Sequence, residues 1–190
     1  LYTSVILRPS ISPPNAHMLT LLAAVALAEV IEEATGKRPS VKWPNDILVE
    51  GRKIAGILLE MDSEIDRVHF VVIGIGVNIN MDSAEFPAEL RTGATSVAIE
   101  RGEEAGGDYS RVSFAANLYY ALEKWYKIVS GLGSGLEGFA PVVEAWKGYF
   151  PHEGKRLRVV SFSDSTEGIC VGIDSDGALL LQTAPGTVER

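Results

Sequence analysis

The apolar and polar positions divide the chain into segments of different period. Residues 1–8 (LYTSVILR) are rich in Tyr, Thr, Val and Ile and predict a strand, closed by Pro9 and the Pro13-Pro14 pair. From Ala16 to about Thr35 apolar residues run nearly all round a helical wheel, with Glu29, Glu32 and Glu33 as the polar exceptions. That pattern predicts a buried helix, capped by Asn15 and ended by Gly36. Short strands follow at 41–43, 47–49, 53–61 and 67–80, separated by Pro44, by Glu50-Gly51 and by the polar stretch 62–66. Phe70, Val71, Val72 and Ile73 are consecutive and apolar, which predicts a strand buried on both faces. No helix separates these strands, so hairpins and a mostly antiparallel sheet in an α+β fold are expected rather than a doubly wound one.

Residues 81–107 have no clear period and read as loop with short helical pieces. Asp108 is placed to cap a helix from 109 to about 131, with Phe114, Leu118, Leu122 and Trp125 on one face. Gly131, Gly133 and Gly135 break it, and a shorter helix follows over 136–150 with Pro141 near its start. The character then changes. Residues 151–154 read as a boundary between a first domain, 1–150, and a small second one, 151–190. The second holds strands at 156–161, 167–173 and 178–182, with a hairpin turn from Asp174 to Gly177 whose glycine takes the positive φ. Three short strands suggest a small barrel lacking its last strand. The start at Leu1 without a Met, and the end at Arg190 just past Pro185-Gly186, lead us to expect a piece of a longer protein.

Composition narrows the classes. A chain of 190 residues is long enough to bury a sizeable core. Its 17 Lys+Arg against 25 Asp+Glu give a net charge of −8, which argues against non-specific nucleic-acid binding by this chain. The single Cys170 excludes a disulfide framework and a multi-cysteine zinc site. The longest apolar run, residues 21–28, is far shorter than the ~18 residues a membrane span needs, and no secretory leader opens the chain. A cytoplasmic location is expected.

Two segments could carry chemistry. Lys42-Trp43-Pro44-Asn45-Asp46 is followed by Arg52-Lys53-Ile54-Ala55-Gly56 across one short hairpin. If the strands pair, Lys42 and Lys53 can point into one pocket, where two ammonium groups favour a phosphate or carboxylate. Asp46 could hold magnesium or orient a lysine, and Gly56 lets a ligand approach the backbone. Spacing alone fits a surface hairpin with solvated charges better. The second segment, residues 73–80 (IGIGVNIN), sets Gly74 and Gly76 inside an apolar strand, as a bulge or a close backbone approach would. Asn78 and Asn80 suit an amide, ureido or purine edge. A β-bulge without a ligand fits equally well. His17, His69 and His152 have no partner at metal-ligand spacing, and Cys170 reads as a packed thiol.

In this order, KWPND (42–46), RKIAGIL (52–58) and GIGVNIN (74–80) resemble the biotin–protein ligases. LYTSVILRP resembles the strand after that family's nucleotide loop, Ala94-Thr95-Ser96 a later family segment, and residues 155–189 its C-terminal barrel. The resemblance implies a catalytic domain like the class II aminoacyl-tRNA synthetases and biotin ligases, plus an SH3-like barrel. It implies activation of biotin by ATP and magnesium to biotinyl-5′-AMP, then transfer to one lysine of a biotin carboxyl carrier protein, typically of acetyl-CoA carboxylase. On this resemblance Lys53 contacts the biotin carboxylate and the developing acyl-phosphate, and Lys42 helps neutralise the phosphates. Trp43, Asn45 and Asp46 shape the nucleotide side, with Asp46 toward magnesium. Gly56, Gly74 and Gly76 line the biotin pocket, and Asn78 approaches the nucleotide. The family's GRGRxGR-type loop and the DNA-binding helix-turn-helix of some members are not in this chain. Two alternatives remain open: a lipoate or octanoyl ligase of the same superfamily, and a non-catalytic module that dimerises on sensing biotinyl-AMP.

Overall fold

The protein's structure, a computed structural model, describes residues 1–102, 108–131, 135–160 and 164–190. Gly133, the end of the loop expected over 81–107 and the end of the strand expected over 156–161 lie outside them.

Strands β1 (Tyr2–Leu7), β2 (Ser40–Lys42), β3 (Asp46–Val49), β4 (Arg52–Ser63) and β5 (Val68–Val77) form a five-stranded sheet in the order β1-β5-β4-β3-β2. Every described pairing in it is antiparallel, as expected from strands joined without helices. Glu50 (φ 51°) and Gly51 (φ 79°) supply the two positive-φ residues that a tight β3–β4 turn requires.

Helix α1 (Met18–Thr35) is buried nearly all round. It starts later than the sequence suggests, because Pro13–Asn15 form a separate 3-10 turn and Asn15 does not cap it. Gly36 (φ 69°) ends it as expected, its N–H bonding the Glu32 carbonyl. Helices α2 (Val97–Arg101), α3 (Arg111–Gly131) and α4 (Ala140–Lys147) complete the first layer. Ser110, not Asp108, caps α3: its Oγ accepts the Ser113 N–H at 3.1 Å, while Asp108 accepts from Asn80 Nδ2 at 2.6 Å. The shorter helix expected over 136–150 divides into a 3-10 turn, Leu136–Phe139, and α4, with Pro141 in its first turn.

Only one face of the sheet meets the helices. On β5, Val71, Ile73, Ile75 and Val77 are buried, whereas Val72, Gly74 and Gly76 are partly open. The expectation of a strand buried on both faces is therefore corrected. Val72 faces outward because antiparallel sheets commonly leave one side uncovered. β1 alternates in the same sense, with Tyr2, Ser4 and Ile6 outward.

Strands β6 (Arg156–Val160), β7 (Ser165–Ile173), β8 (Leu179–Ala184) and β9 (Thr187–Glu189) form a second antiparallel sheet, one strand more than expected. The extra strand is the chain after Pro185-Gly186, folded back on β8 at Gly186 (φ 78°). Cys170, Ile173, Leu179 and Leu181 join the same continuous core as α1. The Asp174–Gly177 turn touches the link between β2 and β3: the Gly177 carbonyl accepts Trp43 Nε1–H at 3.1 Å. Among the described residues, no helix is long and apolar enough to cross a membrane.

Candidate functional site

One row of paired residues crosses the whole first sheet: Tyr2–Gly76–Gly56–Asp46–Lys42. Directly paired residues of antiparallel strands project to the same face. For this row that is the face away from the helices. The next row, Ser4–Gly74–Leu58, adds another glycine. Three glycines on neighbouring positions of β4 and β5 leave a floor of bare backbone. An open hollow of about 640 Å³ lies over it, edged by Asn45, Asp46 and Lys53 on one side and by Tyr2 and Ser4 on the other.

Lys53 reaches this face through a bulge. The β3–β4 register runs Ile47 to Ala55 and then Leu48 to Lys53, so Ile54 is the extra residue. Ile54 goes into the core, and Lys53 comes out on the side of Gly56. Its Nζ lies 2.5 Å from Asp46 Oδ1. A Cβ on Gly56 would stand 3.3 Å from that Nζ and 3.4 Å from that Oδ1, so the missing side chain makes room for the ion pair. A strap then holds the Lys53 backbone: its N–H donates to the Gly93 carbonyl at 2.8 Å, and its carbonyl accepts from the Thr95 N–H at 2.9 Å.

The other residues singled out from sequence divide around this centre. Asn45 braces the turn, its carbonyl accepting the Ile57 N–H at 3.0 Å and its Nδ2 donating to the Ile57 carbonyl at 2.7 Å. Lys42, paired with Asp46 at the sheet edge, shares the face but stands outside the hollow's lining. Its charge helps lower the His152 pKa, after burial and the Lys155 charge. Trp43 turns toward the second sheet and lines a separate hollow of about 190 Å³ with Val159, Leu179 and Leu181. Asn78 donates its side-chain amide to the Thr95 carbonyl at 3.0 Å, so it holds the strap. A Cβ on Gly74 would make ordinary contact with Leu58, 3.7 Å from its carbonyl oxygen and 3.9 Å from its Cβ, whereas the Tyr2 ring lies over Gly76, 3.3 Å from where a Cβ would be.

A resident metal does not fit this site. Among the described residues no group of three His, Cys, Asp or Glu could hold one. Asp46 is the one carboxylate among the described lining residues, and Lys53 occupies it.

Comparison with known proteins bears on what the hollow is for. Residues 1–78 match the Biotin/lipoate A/B protein ligase family, and residues 152–190 the Biotin protein ligase C terminal domain. The biotin–[acetyl-CoA-carboxylase] ligase of Paracoccus denitrificans is 33% identical over 185 residues, covering 96% of this chain and 74% of its own. The chain belongs to the biotin protein ligase family. The bifunctional ligase/repressor BirA of Bacillus subtilis is 40% identical to this family member over 97% of its residues, which span 54% of that relative. The fold of the biotin protein ligase of Aquifex aeolicus, solved in complex with biotin and ATP, superposes with a TM-score of 0.80 at 22% identity, over the whole of this chain and 73% of that one. The α+β architecture with a β-rich C-terminal unit is thus that of the biotin protein ligases.

In this biotin protein ligase family member, sequence reading missed the group behind Lys53. Glu100, on α2, has a fully buried side chain. Its carboxylate accepts from Thr95 Oγ1 at 2.5 Å, Arg52 Nη2 at 2.8 Å and Lys37 Nζ at 2.9 Å. Burial alone would raise its pKa, but the Lys37 and Thr95 hydrogen bonds and the Arg52 and Lys37 charges together bring it below the ordinary value. The one available signal was the match of Ala94-Thr95-Ser96 to a family segment. Nothing in the spacing of Lys37, Arg52 and Glu100 shows that they meet.

Proposed function

We propose that this chain carries the biotin and acyl-adenylate pocket of an enzyme that activates biotin with ATP and passes it to a lysine of a biotin carboxyl carrier protein. The observation that carries this reading is the Lys53–Asp46 pair standing over a glycine floor in a chain of this family. Biotin lies against the backbone of Gly56 and Gly74, with its carboxylate toward Lys53. A carboxylate oxygen attacks the α-phosphorus of ATP, a P–O bond forms, and the bond to pyrophosphate breaks.

Two anions meet in that step, so a fixed cation lowers the barrier most where charge accumulates. Lys53 fills this role because the bulge and the strap fix its backbone before the ligand arrives. Asp46 holds the ammonium over the hollow and yields it as the substrate carboxylate enters. Lys42, at the rim, adds positive charge on the phosphate side. Magnesium would arrive on the ATP phosphates; among the described residues no group of three His, Cys, Asp or Glu forms a separate site for it. In the second step the neutral acceptor lysine amine attacks the acyl carbon of biotinyl-AMP: the C–N amide bond forms, the acyl C–O bond breaks so that AMP leaves, and the amine's proton is released to solvent.

The test is a calorimetric titration of the chain with a stable analogue of biotinyl-5′-AMP, with lipoyl-AMP as control. Binding of the biotin compound and not of the lipoyl one supports the reading. The reverse selectivity would give the pocket to lipoate. Binding of biotinyl-AMP with dimerisation, but no acceptor labelling by the full-length polypeptide containing these residues, would make it a sensor.

A further inference from the structure

We propose that Glu100 is a positioning residue for Lys53, acting through Thr95 and Arg52 to lock the β4 bulge that sets the Lys53 ammonium over the hollow. The proposal rests on the ligase reading above. It begins from the bulge. A bulged strand leaves a residue without its ladder partners, and a one-residue slip would carry Lys53 to the opposite face. Here that residue is Ile54, whose carbonyl accepts the Asn78 N–H at 2.9 Å, while Lys53, opposite Leu48 on β3, is held along its other edge by the strap. Lys53 pairs in parallel with Ala94, and both its backbone groups bond the 93–95 strap.

The strap is itself anchored at Glu100. Thr95 bonds one carboxylate oxygen through its hydroxyl, and its N–H bonds Lys53. Arg52, the residue before Lys53, bonds that same oxygen. Lys37, just past the end of α1, bonds the other oxygen and also lies 3.3 Å from Glu50 in the β3–β4 turn. One buried carboxylate thus ties the residue before the bulge, the strap beside it and the turn leading into it. No atom of Glu100 lines the hollow, so its effect on chemistry passes through Lys53.

The experiment is a double-mutant cycle in the full-length polypeptide that contains these residues, read as pyrophosphate release with biotin and ATP. Glu100→Gln keeps the shape and removes the charge. We expect kcat to fall about tenfold with the KM for ATP within about twofold, since small misplacements of a reacting group cost this much. In the Lys53→Ala background the same substitution changes the residual rate by less than about twofold. Thr95→Val, which removes one bond and keeps both ion pairs, shows a smaller fall with the same dependence on Lys53, and carries the test if Glu100→Gln does not fold.

An equal factor in both backgrounds, or an unchanged kcat, would overturn the proposal and leave Glu100 as support for the fold. Near-normal release by Lys53→Ala alone would overturn the ligase reading and this proposal with it. That failure is recognised because it precedes any change at Glu100.

Discussion

Lys53 Nζ and Asp46 Oδ1 lie 2.5 Å apart across the bare backbone of Gly56. The pair is half open to solvent on the lysine side, and exposed ion pairs add only ~0–1 kcal/mol to stability. On the proposed reading its value lies in where it holds the ammonium. Lys53→Ala and Asp46→Asn should leave the thermal midpoint within a few degrees. Biotinyl-AMP formation should fall by about two orders of magnitude for Lys53→Ala, the size of a lost transition-state charge contact. Parallel melting and pyrophosphate-release measurements check this, and a drop in midpoint matching the loss of rate would contradict it.

Gly74 separates binding from folding more cleanly. A Cβ there meets nothing nearer than the Leu58 carbonyl at 3.7 Å, and valine is favoured in strands. Gly74→Val should keep or raise the melting temperature. It should also weaken biotinyl-AMP binding about tenfold or more, because its methyl groups fill the floor of the hollow. Unchanged affinity by calorimetry would show that ligand does not lie on this backbone.

The Asp174–Gly177 turn is packed as well as bent. A Cβ on Gly177 would come 2.9 Å from Leu21 Cδ2 and 3.2 Å from Met18 Sδ, at φ +81°. Gly186 has a similar φ of +78° with nothing within 4 Å. Gly186→Ala should cost about 1 kcal/mol for conformation alone. Gly177→Ala should cost about 2–4 kcal/mol, with overpacking added. Denaturant midpoints give both values, and equal costs would show that the second sheet does not press on α1.

Tyr149 should titrate late. Burial, then the Glu32 charge and its hydrogen bond at 3.1 Å, raise its pKa from 10.0 to about 12. The folded state favours the neutral phenol, so this contribution is present below pH 10 and is lost as pH rises toward 12. In an alkaline absorbance titration one of the six tyrosines should lag, and Tyr149→Phe should abolish the lag. A lag that survives Tyr149→Phe would assign the shift elsewhere.

Glu100 sets an acid limit of the opposite sense. Its folded pKa lies below the ordinary 4.5, so its stabilising effect is complete above that value and disappears as pH falls through the depressed one. Urea midpoints of the wild type should decline in that window more steeply than those of Glu100→Gln. Identical acid slopes would mean that the carboxylate is not held as the structure has it.

Much of this architecture is written locally. The strand pattern of residues 1–8, the all-round apolar helix, the Glu50-Gly51 turn and the Asp174–Gly177 turn depend on side-chain period and on which residues tolerate positive φ, and both are properties of short segments. The KWPND and RKIAG motifs likewise marked Lys53 and Asp46 without a structure. What each one touches could not be read that way. The cap of α3 is Ser110 rather than Asp108, because the helix begins at Arg111, and the aspartate instead accepts from Asn80, far along the chain.

Val72 reads as core, yet faces outward because the helices cover only one side of the sheet. Lys42 and Lys53 look equivalent in sequence, but a single extra residue, Ile54, puts one over the glycine floor and leaves the other at the rim. Sequence by itself determined most of the strands and helices and the family motifs that single out Lys53 and Asp46. Tertiary structure alone decided that Lys53 stands over the glycine floor, that Lys42 lies outside the hollow's lining and that Glu100 stands behind Lys53, because register, bulge position and buried ion pairs arise only when segments distant in the chain pack together.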